Sequence, residues 1–334
     1  MTKINRDDYA YAAGLIRAKE IRLLDSDRLN RMIEAPDAAE AFKVLTEAEY
    51  GYGNTENFYS FEQVLAEEMK KTYDLLAEIA PVPEVVDAFK RKYDYFNIKV
   101  LLKAEFSGQE PPQILMDTGV FGAEQIKRII RERDYNDLSP VMIQAITDTY
   151  DAFSRMRDPQ AVDLIIDKAS YDQFVNDLNE FDSPFLNELA RIIIDITNIK
   201  MYIRARGLNK SWDFIRKLLL KGGEISEEFY FTEFDKPIEA FVDDLRQTKY
   251  GDMVKRGWEM YIAKKNISGL EKLLDDFLMR YIRRAKLITM GVEPFIAYLF
   301  AKETEIRNVR IIMTGKINGL NDDLIRERLR LGYV

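Results

Sequence analysis

Among its 334 residues the chain has no cysteine and no histidine. Without cysteine there is neither a disulfide nor a thiolate ligand, and the redox compartment is left open by that count. Without histidine the Ser-His-Asp triad, the Cys-His pair, the HExxH zinc motif and the histidine-bearing di-iron bundle are all excluded. Acid–base work near neutral pH would fall to carboxylates, lysines or tyrosines with displaced pKa values. Phosphate loops are missing too. Gly51 and Gly53 meet Glu56 where a dinucleotide fingerprint needs its third glycine, and Thr314-Gly315-Lys316 has no glycine five residues before Gly315 and is followed by Ile317.

No apolar run approaches the roughly 18 residues that a spanning helix needs. The first twenty residues, MTKINRDDYAYAAGLIRAKE, carry charge throughout and contain no apolar signal core. A cytoplasmic location is expected, with any membrane association made through a partner. Acids outnumber bases by 57 to 49, a net charge of −8, whereas a nonspecific nucleic-acid binder needs a basic surplus to displace counterions. Nucleic acid is therefore not an expected partner. The basic stretches Lys127 to Arg133, Arg280 to Lys286 and Arg326 to Arg330 are interspersed with Ile and Leu at helical spacing, the pattern of solvated helix faces.

Alternating strand patterns are nearly absent, and helical signals fill the space they leave. Apolar residues recur at threes and fours from Tyr9 to Leu24. Ser60 with Gln63 and Ser268 with Glu271 read as capping boxes ahead of helices reaching about Ile79 and Ile288. Asp158-Pro159, Ser183-Pro184 and Lys236-Pro237 open others, and breaks are expected at 51–60, 107–122, 222–226 and 291–294. The fold class expected is all-α.

One frame recurs three times without a gap. Pro is followed after eleven residues by an acid, after three more by Asn, then by Ile or Val, Lys or Arg, and finally Ala or Gly. The copies are Pro83, Asp94, Asn97, Ile98, Lys99, Ala104; Pro184, Asp195, Asn198, Ile199, Lys200, Ala205; and Pro294, Glu305, Asn308, Val309, Arg310, Gly315. A loop would not hold such a register, so each copy reads as one helix with Pro at its start. At 100° per residue the acid, the Asn, the apolar residue seven after the acid (Leu101, Tyr202, Ile312) and the small residue share a stripe. Lys99, Lys200 and Arg310 face the other way. The stripe either satisfies backbone groups of a neighbouring segment or, like the opposite face, lines a surface that receives a partner.

The repeat extends further. Glu40-Ala41-Phe42 leads to Leu45 and Tyr50-Gly51, and Glu239-Ala240-Phe241 leads to Leu245 and Tyr250-Gly251, with one residue inserted. A short basic-apolar helix is expected after each marked one, at Ile126 to Ile130, Trp212 to Leu219 and Leu324 to Leu329. Units of about a hundred residues follow, 1–122, 123–222 and 223–334, read as three helical lobes, and in the middle copy Gly207 arrives where the other two continue.

One catalytic alternative survives: an all-α magnesium-dependent enzyme acting on diphosphates through paired aspartates. The pairs are Asp243-Asp244, Asp275-Asp276 and Asp322-Asp323, and none completes a DDxxD motif. Adjacent acids on helices of an acidic protein usually mark solvated surface.

The segment Lys302 to Leu320, KETEIRNVRIIMTGKINGL, together with the closing RERLRLGYV and the opening YAAGLIRAKEIRLLDSDRLNRMIEA, resembles the C subunit of V-type (A/V-type) ATP synthases, the counterpart of the d subunit of eukaryotic V-ATPases. The resemblance covers the whole chain. It implies a funnel-shaped, three-lobed adaptor with no activity and no cofactor, one copy per complex, on the central rotor at the inner face of the membrane. Its implied partners are the D and F proteins of the shaft on one side and the ion-carrying membrane rotor ring on the other, so that torque passes between them.

Overall fold

A computed structural model describes residues 2–50 and 57–334, so the expected break at 51–60 lies largely outside the described residues, as do Gly51, Gly53 and Glu56. Among the described residues there are α-helices and short 3₁₀ turns but no strand; the one β-bridge pairs Thr2 with Phe181. In chain order the α-helices are α1 (Ala10–Glu20), α2 (Ser26–Glu34), α3 (Ala38–Glu47), α4 (Phe61–Ile79), α5 (Pro83–Ser107), α6 (Ala123–Glu132), α7 (Pro140–Met156) and α8 (Pro159–Asn179). They continue with α9 (Pro184–Gly207), α10 (Trp212–Leu218), α11 (Glu227–Thr232), α12 (Ile238–Asp244), α13 (Gly251–Lys264), α14 (Ser268–Ile282), α15 (Val292–Ile317) and α16 (Asp322–Arg328).

The three framed helices are α5, α9 and α15, the longest among the described residues. Pro83 and Pro184 stand in the first turn of α5 and α9, where the missing N–H has no intrahelical partner to lose. The third copy departs from the expectation: α15 begins at Val292, so Pro294 is its third residue. The reason is the same, because the first four N–H groups of a helix are orphans whichever residue carries them.

The ends of these helices repeat as well. A left-handed residue follows eleven positions after each Asn: Gly108 (φ 67°), Asn209 (φ 52°) and Gly319 (φ 64°). In each case the carbonyl of the small residue (Ala104, Ala205, Gly315) accepts the N–H five residues on, at 3.0, 3.0 and 2.9 Å. This is the 6→1 bond of a Schellman ending. Gly207 is thus not the break in the middle copy; it remains helical, and the chain turns at Asn209.

The chain divides into two compact units. One holds Val82–Phe231 with Thr2 and Lys3, and so contains α5, α9 and most of α11; the other holds Ile4–Pro81 and Thr232–Val334, and so contains α15. In the first, α8 packs along α5 and against α7 and α9. Its core includes Tyr95, Ile98, Leu102, Ile126, Met142, Ile146 and Ile166. In the second, α15 is the central rod, and α1, α2, α3, α4, α14 and α16 all pack on it. Sixteen of its residues are buried, and the exposed ones, Arg307, Arg310 and Thr314, share one narrow strip of its C-terminal half. The capping-box serines behave differently from expectation: Ser60 accepts no helix N–H, and Ser268 is itself the first residue of α14, with Asn266 accepting its N–H at 3.2 Å.

Candidate functional site

Asp94, Asn97, Asp195, Asn198, Glu305 and Asn308 are all buried, and each grips backbone or charged groups brought to it by another segment. The asparagines do the same thing three times. Asn97 donates from Nδ2 to the carbonyl of Met116 (2.7 Å) and accepts the Met116 N–H (2.8 Å). Asn198 holds Leu220 the same way, at 2.9 and 2.9 Å, and Asn308 holds Arg330 at 2.9 and 2.8 Å. A side-chain amide presents one donor and one acceptor side by side, so it pairs with an extended residue as a strand would. The Ala and Gly positions keep the following turn close. A Cβ on Gly315 would lie 2.7 Å from Cγ1 of Ile325, a buried residue of α16.

The acids of the first two copies secure the same straps four residues further on. Asp94 accepts the N–H groups of Val120 (3.0 Å) and Phe121 (3.1 Å); Asp195 accepts those of Glu224 (3.0 Å) and Ile225 (3.1 Å). In both straps a glycine precedes the gripped pair, and a Cβ on Gly119 or Gly223 would overlap Oδ1 of the aspartate. Those glycines are the sequence signal of the strap, and they lie outside the repeated frame. Burial pushes the Asp94 carboxyl up to about 7, the two backbone donors offsetting part of that shift.

The third acid differs. Glu305 accepts the backbone N–H of Leu24, the hydroxyl of Tyr50 and the ammonium of Lys302 (2.8 Å), which also reaches Glu68 (2.8 Å). Burial works against the Lys302 ammonium, yet Glu305 and Glu68 together hold its pKa above the ordinary lysine value. Asp276 of α14 adds a grip beside that of Asn308, accepting the Leu331 N–H at 2.7 Å.

One expected equivalence therefore changes. The short helices α10 and α16 lie between the framed helix and its gripped residue, whereas α6 begins after the gripped segment 116–121. Ser211 and Asn321 cap α10 and α16 by accepting the N–H of Phe214 and Leu324. In the first copy it is Asp117, inside the gripped segment, that accepts the first N–H of α6, from Ala123 at 2.9 Å, and α6 belongs to the next structural step.

The opposite faces carry ion pairs inside their own units. Lys99 reaches Asp167 of α8 (2.6 Å), and Arg310 lies 2.8 and 3.0 Å from the two carboxylate oxygens of Glu62; Lys200 is half-buried. Five of the six paired aspartates are engaged. Asp275 accepts from Arg330 (2.7 Å) and Arg307 (3.2 Å), Asp276 holds Leu331, and Asp322 pairs with Lys316 (2.8 Å). Asp243 pairs with Arg246, and Asp244 lies 3.4 Å from Lys236. Among the described residues no three carboxylates cluster as metal ligands would, and no helix is long and apolar enough to cross a membrane.

With that geometry in place, comparison with known proteins is informative. The family described as ATP synthase (C/AC39) subunit matches residues 12–328. The C subunit of the V-type sodium ATPase of Enterococcus hirae is 27% identical over 98% of this chain and 99% of its own length. The C subunit of the A-type ATP synthase of Methanocaldococcus jannaschii is 26% identical over 96% of this chain and 86% of its own, and that of Methanosarcina acetivorans 25% identical over 98% and 94%. The segment Glu305-Ile306-Arg307-Asn308-Val309-Arg310, inside the matched region, is where the gripping residues of α15 lie. The chain belongs to the ATP synthase (C/AC39) subunit family, a non-catalytic component of rotary V- and A-type ATPases.

Proposed function

We propose that this chain is the central-stalk adaptor of its rotary ATPase, receiving the D/F shaft on one side and seating on the membrane ion-translocating ring on the other. In this reading the copies head three lobes, 1–122, 123–222 and 223–334, around a socket for the shaft. The chain works at the inner face of the membrane, one copy to a complex, and Lys99, Lys200 and Arg310 stay with the scaffold.

The observation that supports the reading is the threefold strap. A part that transmits torque must not fray where it is loaded, and the last turns of a helix are where fraying starts. Here each long helix ends in a left-handed turn, and the segment that follows is bonded back to its Asn. Stiffness of this kind suits a coupling part.

The test is removal of the chain from the assembled membrane complex. Expected are continued ATP hydrolysis by the released head, loss of ion pumping, and recovery of pumping when the purified chain is added back. A complex that lacks the chain and still pumps ions at full coupling would end the proposal.

A further inference from the structure

The third strap has an unusual origin, and it is visible within one compact unit. In the first copy Asp94 holds the N–H of Phe121, and α6 begins two residues later, at Ala123. In the second, Asp195 holds the N–H of Ile225, and α11 begins two residues later, at Glu227. In the third, Glu305 holds the N–H of Leu24, and α2 begins two residues later, at Ser26. The register is identical, but the third pairing joins residues 281 positions apart.

The helices that follow agree. The Glu-Ala-Phe cassette opens α3 (Glu40-Ala41-Phe42), directly after α2, and opens α12 (Glu239-Ala240-Phe241), directly after α11. α11 lies against α10 through Arg216 and Glu227 (2.8 Å) and through the rings of Trp212 and Phe231, 5.1 Å apart. α2 lies against α16 through Arg326, which donates to Asn30 and pairs with Glu34 (2.9 Å). Arg216 and Arg326 occupy the same place, five residues after the capping Ser211 and Asn321. What α11 is to the second copy, α2 is to the third, and the cassette helix that follows in sequence, α12 after α11, is α3 after α2.

We infer that α2 and α3 are docked, without a covalent link, as the missing continuation of the third copy, and that the Glu305–Leu24 contact is the seam at which this fold opens first. Between Leu220 and Ile225 one short strap spans both grips of the second copy. At the third, Asn308 and Asp276 grip residues 330 and 331, while Glu305 grips residue 24. After one bond breaks, the strap of the second copy is held by its neighbouring grip on the same helix, whereas Leu24 is held through the packing of α1 on α15. The additional bonds at the seam, Tyr50 and Lys302 on Glu305 and Lys316 on the Ala35 carbonyl (2.8 Å), are what the tether would otherwise supply.

The experiment is hydrogen exchange on the full chain and two variants, Glu305→Gln and, as the tethered control, Asp195→Asn. Expected in Glu305→Gln is an exchange rate at least tenfold higher for the Leu24 amide and for residues 26–47 as a block, with α5 to α9 unchanged. Asp195→Asn should accelerate residues 224–225 while residues 227–244 change several-fold less. Equal acceleration of the two blocks, or a response in Glu305→Gln confined to Leu24, overturns the seam. Should Glu305→Gln not fold, Arg326→Ala decides: exchange two- to fivefold faster and confined to α2 and α3 supports the inference, and no change there overturns it.

Discussion

At Gly315 the side chain of Ile325 occupies the space a Cβ would need, and the far end of α15 is fixed by that contact. Gly315→Leu should force α16 away and cost roughly 1–3 kcal/mol, measured as a fall in the urea midpoint; unchanged stability would mean that the close approach carries no weight. Asp94 makes a prediction about pH. Its carboxyl sits at about 7 in the folded chain because burial penalises the charge, against 3.8 as the ordinary value. A raised folded-state pKa means that the native form binds the extra proton, so the contribution is full below about pH 4 and is lost as pH rises through about 7. Stability should therefore fall between those limits by at most about 4 kcal/mol from this group, and Asp94→Asn should flatten that part of the profile. A profile of Asp94→Asn parallel to that of the parent chain would refute the assignment.

Elements are legible where the physics is local. Pro83 and Pro184 announce α5 and α9 because a missing N–H costs nothing in a first turn, and the spacing from Pro to Asn holds the stripe in register. The ends are less so. Asn209 is a weaker stop signal than glycine, although Asn tolerates the left-handed conformation that Gly108 and Gly319 adopt in the other copies. Asn209→Gly should stabilise the chain by up to about 1 kcal/mol and Asn209→Ala destabilise it by about the same amount, with opposite shifts in melting temperature as the check. The straps cannot be read from spacing alone, because Asn97 and Asn198 meet partners 19 and 22 residues away through extended backbone that has no side-chain signature. Only Gly119 and Gly223, where the aspartates leave no room for a Cβ, mark the place. Glu305 is the hardest case: its partner Leu24 precedes the helix by most of the chain, and nothing near position 305 points to it.

At the scale of the whole molecule the question is whether the three straps act separately. Each Asn grips its own residue (Met116, Leu220 or Arg330), and none of these is shared, so losses should add. They should not be equal. Leu220 is buried, so Asn198→Ala leaves an N–H and a carbonyl without water to replace the lost partner, at about 1–3 kcal/mol. Met116 is exposed and Arg330 half-buried, so water can take over part of the work, and Asn97→Ala and Asn308→Ala should each cost nearer 1 kcal/mol. The triple variant then loses about 3–5 kcal/mol, a large share of the roughly 5–15 kcal/mol that holds a typical domain together. Denaturant titrations of the three single variants and the triple variant measure this directly, with Asn198→Ala as the costliest single change. If the triple variant is no less stable than Asn198→Ala alone, the straps are not independent fasteners and the threefold repetition does not make the molecule stiff. If the losses add, each of the three framed helices is secured by its own clamp, and stiffness at their ends is built three times over.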